Sequence, residues 1–453
     1  MRLEAGAAGP DALLRLHERH PDRYPVLLES VGGGADLGRY DILLALPGAR
    51  LLQQADGRID GPPAAAGHRR FLAALDACWR AERLPGADEG ATPFSGGWFL
   101  YLGYELAGEI EPRLRLPAAR LPRAVAWRMH GAVVCDRQAG ELLLRAESGF
   151  EQQFREEITA DLAAAGTAPH APPPPVVVDG VEEESPQRFL QGVRAVLDAI
   201  ARGDVYQANL SRGWRAPLKP GVTAADLYRR LRVANPAPFA GSAMLPGFAL
   251  LSSSPERLLR MRGSAASTRP IAGTRPRGES QAHDAALRDE LRLNEKEQAE
   301  HVMLVDLERN DLGRICRGGT VEVDEFMTIE SYATVHHIVS NVRGELRAGV
   351  TPGEAIAAVF PGGTITGCPK VRCMQLLADL EQAPRDAYTG SMGYLRTDGG
   401  LDLNILIRTI TLRGEAIEFR TGAGIVADSL PEAELAETRA KARGLLRALG
   451  SET

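Results

Sequence analysis

Two pairs of glutamates stand three residues apart at distant points of the chain: Glu297 and Glu300 within Asn294–His301, and Glu434 and Glu437 within the stretch from Gly422 to Lys441. Residues three apart share a helical face, so each pair turns two carboxylates in one direction. One such pair alone is an ordinary solvated surface. A repeated pair with no matching His or Cys set suits Mg²⁺, a hard cation that binds oxygen and keeps some of its water. Arg408, in Asp402–Ile410, alternates with Asn404 and Leu406 on one face of an expected strand. A buried-face arginine needs a counter-charge, either a protein carboxylate or a bound anion. Gln207, Asn209 and Ser211 form a polar row on one face of the expected strand Val205–Arg212, with Tyr206, Ala208 and Leu210 on the other, and such a row can line a pocket. Glu256 follows an apolar run and a proline turn in Ser254-Pro255-Glu256, and loops bearing charged groups on a rigid scaffold are common places for sites.

These groups need elements to hold them. Ser429 with Glu432 three residues on is a capping-box pattern, and Pro431 suits a first helical turn, so a helix carrying Glu434 and Glu437 is expected there. Ala285–Leu312 reads as one helix bearing the first pair. Ser185-Pro186 opens another, with Phe189, Val193, Val196, Leu197 and Ile200 as its core stripe. Strands are expected at 25–30 and 40–46 around Gly32-Gly33-Gly34, and again at 96–104, 125–128 and 141–145. The glycines lack a following Lys-Ser/Thr, so they are no phosphate loop. Asp402–Ile410 and Ala416–Arg420 read as paired strands about Arg413-Gly414, and Thr268–Gly278 as a loop rich in Gly, Pro and Arg. Pro361–Lys370 fails the phosphate-loop spacing because Cys368 and Pro369 separate Gly367 from Lys370, leaving a glycine turn whose backbone N–H groups can meet a carboxylate.

Over 453 residues the chain is 44% hydrophobic and 25% charged, with a net charge of −6. That is globular composition with no basic footprint for nucleic acid or an anionic membrane. An anionic substrate must therefore be met by local cations or a metal. The first residues lack the apolar core of a signal peptide, no apolar run is long enough to span a bilayer, and the expected location is the cytoplasm. Five cysteines with no Cys-x-x-Cys argue against a disulfide framework and against a zinc site. A proline-rich and then acidic stretch, 166–186, reads as an extended surface linker between an N-terminal part, 1–165, and a second part, 187–453.

Gly203–Ser211, Ser253–Glu256, Pro270–Arg277, Val305–Arg314, His337–Ser340, Gly367–Lys370, Ile407–Thr409 and Gly422–Val426 resemble, in order and spacing, the motifs of the chorismate-binding enzymes. That family includes component I of anthranilate synthase and of aminodeoxychorismate synthase, and the isochorismate and salicylate synthases. The resemblance is dense over residues 187 to 445 and weaker before them. It implies an α+β fold, two antiparallel β-sheets packed as a sandwich with helices outside, and a site for chorismate and Mg²⁺. It assigns Glu297, Glu300, Glu434 and Glu437 to the metal, directly or through water, with the metal holding the ring carboxylate. Arg408, Tyr388 and Lys441, with the Gly422 backbone, become the clamp on the enolpyruvyl carboxylate; Lys441 also stands four residues from Glu437, a spacing for an ordinary ion pair. Glu256 takes the general-acid position, and a partly desolvated carboxyl can hold its proton near neutral pH. His337 lies near the C4 side of the ring, and Thr274, with Gly273 and Ala272, on the turn at the reacting edge. Gln207 stands where the water-activating members carry a lysine base, which points to ammonia as nucleophile.

Within the family, Tyr206–Leu210, Thr334–His337, Gly363–Gly367 and Arg39–Ala45 resemble the aminodeoxychorismate branch. Ala272 and Leu27-Leu28-Glu29-Ser30 resemble the anthranilate branch, the latter its tryptophan-binding strand. The branch-wide motifs favour 4-amino-4-deoxychorismate, made with ammonia from a separate glutamine amidotransferase subunit, since this chain shows no glutaminase nucleophile motif. The alternatives are anthranilate synthesis and, in another class, a non-catalytic subunit that binds tryptophan or chorismate.

Overall fold

The computed structural model describes residues 2–4, 11–32, 38–84, 92–166, 173–332 and 335–451, and its strand pairings between named strands are all antiparallel. Its spine is two long strands, Tyr40–Gln53 and Ala124–Asp136, paired from Tyr40 opposite Asp136 to Gln53 opposite Ala124 with a register shift between Pro47 and Arg50. Their length lets them serve two sheets. One sheet continues from Tyr40–Gln53 through Val26–Glu29, Phe239–Leu245, Phe248–Ser254, Thr409–Arg413 and Ala416–Ile425 to Gln207–Pro217. The other continues from Ala124–Asp136 through Gly97–Leu102, Ser391–Arg396, Leu401–Asn404, Arg257–Arg262 and Ala265–Arg269 to Val335–Glu345.

Strand alternation sorts the apolar side chains into layers. Val26, Ile42, Leu44 and Leu250 of the first sheet meet Phe99, Tyr101 and Met392 of the second in a shared inner core. Their neighbours Leu27, Leu43 and Leu251 face outward, under the helices Ala12–Arg19, Ala224–Ala234 and Pro431–Leu449. Leu100 and Leu102 face outward on the second sheet, beneath Phe71–Glu82 and Pro352–Val359. The result is the expected α+β sandwich with surrounding helices. No helix among the described residues is long and apolar enough to cross a membrane.

Residues 1–165 and 187–453 share these sheets: Val26–Glu29 pairs with Phe239–Leu245, and Gly97–Leu102 with Ser391–Arg396. The 166–186 boundary is therefore a break along the chain and not in the hydrogen-bonded network. Residues 167–172 of that linker lie outside the described residues, as do Gly33, Gly34 and Thr334. Beyond residue 172 the linker is held against the body of the protein. Val177 and Val178 are buried, Glu182–Glu183 pairs with Arg215 and Trp214, and Glu183 receives the guanidiniums of Arg212 and Arg439 at 2.5 and 2.8 Å.

Four local expectations are corrected. The helix expected over 285–312 is two, Gln281–Leu293 and Glu295–Gly313, because the Asn294 side chain accepts the Glu297 N–H at 3.0 Å and caps a new start. Ser429 does not cap its helix; the N-cap is Leu430, and the Ser429 hydroxyl turns back to accept the Val426 N–H at 3.0 Å. The expected strand 402–410 is broken into Leu401–Asn404 and Thr409–Arg413, so Arg408 does not alternate with Asn404 and Leu406 on one strand face. The arginine-rich segment 268–278 is no simple loop but two strands, Ala265–Arg269 and Ile271–Pro276, the second with a register shift at Gly273.

Candidate active site

Residues of Gln207–Pro217, Ile271–Pro276 and Ala416–Ile425, with the N-terminal half of Glu295–Gly313 and one face of Pro431–Leu449 from Glu434 to Arg447, line a cavity of about 940 Å³. Every residue expected to serve in catalysis, substrate binding or metal binding lines it, from Gln207 and Glu256 to Glu434, Glu437 and Lys441.

One end is acidic. Glu297 and Glu300 project from the helix that Asn294 caps, and Glu434 and Glu437 from the facing helix. These carboxylates already meet groups of the protein: Glu300 accepts the Gln207 amide at 2.5 Å, Glu297 pairs with Arg275 at 3.2 Å, and Glu437 with Lys441 at 2.7 Å. Burial first, then the charges of Glu297 and Glu437, hold the Glu300 carboxyl above its ordinary range, while Gln207 and Lys441 oppose them. Among the described residues no group of three or more His, Cys, Asp or Glu is gathered tightly enough to hold a metal by itself. The chemistry of the donors still fits a hard divalent cation. Mutually repelling carboxylates suit one, and the remaining positions call for water or a ligand oxygen.

The other end is cationic and proton-bearing. Arg408 sits in the break after Leu401–Asn404 with a left-handed φ of +51°. Among the described residues its guanidinium makes no hydrogen bond or ion pair, and burial pulls its pKa down with Glu256 opposing. Lys441, besides its pair with Glu437, donates to the Gly422 carbonyl at 3.0 Å. A Cβ at Gly422 would lie 2.7 Å from the Tyr388 hydroxyl, so only glycine leaves that space open to a ligand. Glu256, just past Phe248–Ser254, is buried, and its carboxyl is pushed up to about 8. Desolvation is the main cause, Glu308 reinforces it, and the Thr364 hydroxyl, the Ile271 N–H and Arg408 oppose it. At neutral pH this carboxyl holds its proton.

Gly273 creates the third feature. At φ +64° it bulges its strand, and a Cβ there would meet Glu297 Oε2 at 3.0 Å and Leu291 at 2.9 Å. The bulge sets Thr274 opposite His337, with the Thr274 hydroxyl 2.9 Å from His337 Nδ1. His337 Nε2 is buried and has no partner among the described residues. Desolvation, then the Arg408 charge, lowers the imidazole to about 3, so it stays neutral at physiological pH. Ala272, beside the bulge, adds only a methyl group to the wall.

Sequence reasoning passed over other lining groups. Asn209 was visible in the polar row, and its buried Oδ1 has no partner among the described residues. Thr364, beside Glu256, lies within the Gly363–Gly367 motif but was assigned no role, and the exposed Arg443 and Arg447 carried no motif signal. A second cavity, about 1080 Å³, lies against Leu28, Glu29, Ser30, Phe239, Met392 and Tyr394. There Glu29 is buried, accepting from Tyr228 and Arg232 at 2.7 Å each.

The sequence pattern of the chorismate binding enzyme family matches residues 44–447. The chain belongs to the chorismate-binding enzyme family. It is similar to an anthranilate synthase component I-like protein of Synechocystis sp., 43% identical over 359 residues, covering 79% of this chain and 73% of that protein. It is also similar to the aminodeoxychorismate synthase component 1 of Bacillus subtilis, 49% identical over 261 residues, covering 58% of this chain and 55% of that protein. Among solved structures it resembles the anthranilate synthase component I of Streptococcus pneumoniae, with a TM-score of 0.78 and 28% identity over 91% of this chain and 93% of that one. The chain is thus a chorismate-utilising enzyme of the anthranilate synthase and aminodeoxychorismate synthase type.

The depressed imidazole gives a direct check. An NMR titration of His337 should show no protonation between pH 8 and about 5, because its proton is bound only near pH 3. Titration near the ordinary value of about 6.5 would contradict the buried, neutral ring.

Proposed function

We propose that this enzyme is component I of an aminodeoxychorismate synthase, converting chorismate and ammonia to 4-amino-4-deoxychorismate, with ammonia supplied by a separate glutamine amidotransferase subunit. The observation that carries this reading is a buried Glu256, its carboxyl pushed up to about 8, in the same cavity as a guanidinium, Arg408, that no carboxylate among the described residues pairs with. A chorismate carboxylate answers that charge, and a guanidinium grips it bidentately. The Tyr388 hydroxyl, Lys441 and the Gly422 backbone complete the clamp. Glu297, Glu300, Glu434 and Glu437 would hold Mg²⁺, which when bound neutralises the ring carboxylate near them. Glu256 gives its proton to the C4 oxygen as the C–O bond breaks, so that water leaves and ammonia supplies the new C–N bond. His337 and Thr274 line the reacting edge.

Amination, rather than hydration, is favoured by Gln207, whose amide is bonded to Glu300 and cannot act as a base at this position. The C4 assignment draws on the aminodeoxychorismate-like motifs and on the 49% identity to the Bacillus subtilis component 1. Anthranilate synthesis is the second reading, favoured by Ala272 and by Leu27-Leu28-Glu29-Ser30, which resembles the tryptophan-binding strand of anthranilate synthases and lines the second cavity with Leu28, Glu29 and Ser30.

Incubation of the pure protein with chorismate, Mg²⁺ and ammonium should yield 4-amino-4-deoxychorismate by mass; anthranilate with pyruvate would overturn the choice of branch. The raised Glu256 carboxyl is protonated below about pH 8 and loses its proton as pH rises through that value. kcat/KM for chorismate should therefore fall through a basic limb near pH 8. In Glu256→Gln the limb should vanish and kcat drop about 10²-fold, the common scale of general-acid catalysis. An unchanged kcat would remove Glu256 from the mechanism.

A further inference from the structure

Behind the wall that carries Tyr388 lies a buried ion pair that the proposed chemistry does not use. Arg385 donates to both oxygens of Glu381, Nη2 to Oε1 at 2.7 Å and Nε to Oε2 at 2.9 Å. The same guanidinium reaches beyond the pair. It donates to the Asn209 carbonyl at 2.7 Å, the Ile365 carbonyl at 3.1 Å and the Thr389 hydroxyl at 3.3 Å, and it lies over the Tyr388 ring, 5.6 Å from its centre. Glu381 in turn accepts the Ser211 N–H and hydroxyl at 2.9 and 2.8 Å. One charge pair thus joins the strand that bears Gln207 and Asn209 to the segment that bears Tyr388.

That segment does not hold itself. Gln382, Asp386 and Thr389 take left-handed φ values of +49°, +50° and +62°, which non-glycine residues keep only where their surroundings over-determine them. Glu105 accepts the Arg385 and Asp386 N–H groups at 2.8 and 3.0 Å, and Asp386 receives the Arg120 side chain at 2.9 Å. On the cavity side, the Tyr388 hydroxyl and the unpartnered Asn209 Oδ1 both crowd the position of a Cβ on Gly422.

We propose that Arg385 is a positioning residue for the anion clamp: through the Asn209 carbonyl and the segment that carries Tyr388, it fixes both residues beside Gly422, where the Tyr388 hydroxyl can donate to a substrate carboxylate. The proposal rests on the reading of Tyr388 as part of that clamp. A purely structural Arg385 would stabilise the core without affecting how Tyr388 binds ligand.

A double-mutant cycle separates these roles. Chorismate Kd and thermal midpoint are measured for the wild type, Tyr388→Phe, Arg385→Lys and the double variant. Tyr388→Phe should weaken chorismate binding about 10-fold, the loss of one hydrogen bond to a charged group. Arg385→Lys should weaken it to a similar degree, and the double variant should be no worse than the weaker single. If Arg385→Lys does not fold, Glu381→Gln, which keeps the guanidinium but releases its anchor, replaces it in the cycle. Effects that multiply, or Arg385→Lys lowering the thermal midpoint with unchanged Kd, overturn the proposal. Tyr388→Phe with unchanged Kd overturns the clamp reading itself, and the proposal with it.

Discussion

A guanidinium fixed in a cavity wall with no carboxylate to pair with among the described residues is the constraint around which the site is arranged. Arg408 is held there by a left-handed backbone turn, and the carboxyl that influences it, Glu256, is pushed toward its neutral form by burial. A partly desolvated charge without a partner favours an anion that enters the cavity. The opposite end repels the same anion, because Glu297, Glu300 and Glu437 share one electrostatic environment. A dicarboxylate in this cavity therefore has a preferred orientation: one carboxylate on Arg408, and the other turned toward the glutamates only if a divalent cation stands between.

The scaffold supplies this contrast through departures from regular structure. The sandwich is regular where it packs, with Val26 and Leu27, or Leu250 and Leu251, sorted to opposite faces. It is irregular where it meets the cavity. Gly273 bulges a strand to set Thr274 against His337, Asn294 interrupts a helix to aim Glu297, and the break after Asn404 turns Arg408 out of the sheet. The Asn294 cap depends on its side chain, and the Gly273 bulge leaves no room for a Cβ beside Glu297 and Leu291. Such concentration of unusual backbone at a ligand site is common, since the surrounding fold must fix side chains that would not otherwise point together.

Much of this was legible in the residues. The glutamate pairs, the polar row of Gln207 and Asn209, and the helix at Pro186–Ala201 follow from periodicity alone, and the ordered motifs gave the α+β sandwich and the family. The failures share a cause. Ser429 and Glu432 matched a capping box, yet the hydroxyl closed the preceding turn, because two local hydrogen bonds compete and tertiary context chose between them. Strand alternation placed Arg408 beside Asn404, but a regular strand there would have hidden the charge among apolar neighbours. Arg385 stands four residues after Glu381, an ordinary helical ion-pair spacing, and its other partners, Asn209 and Ile365, come from separate segments that only the fold brings together.

The most direct test of the central claim is the affinity of the Arg408→Gln variant for chorismate, measured by calorimetry beside its thermal midpoint. The account predicts a Kd raised about 10²-fold, consistent with the loss of charged hydrogen bonds, and a midpoint unchanged or higher because an unpaired, partly desolvated charge has gone. An unchanged chorismate affinity, or a sharp fall in stability without ligand, would contradict it.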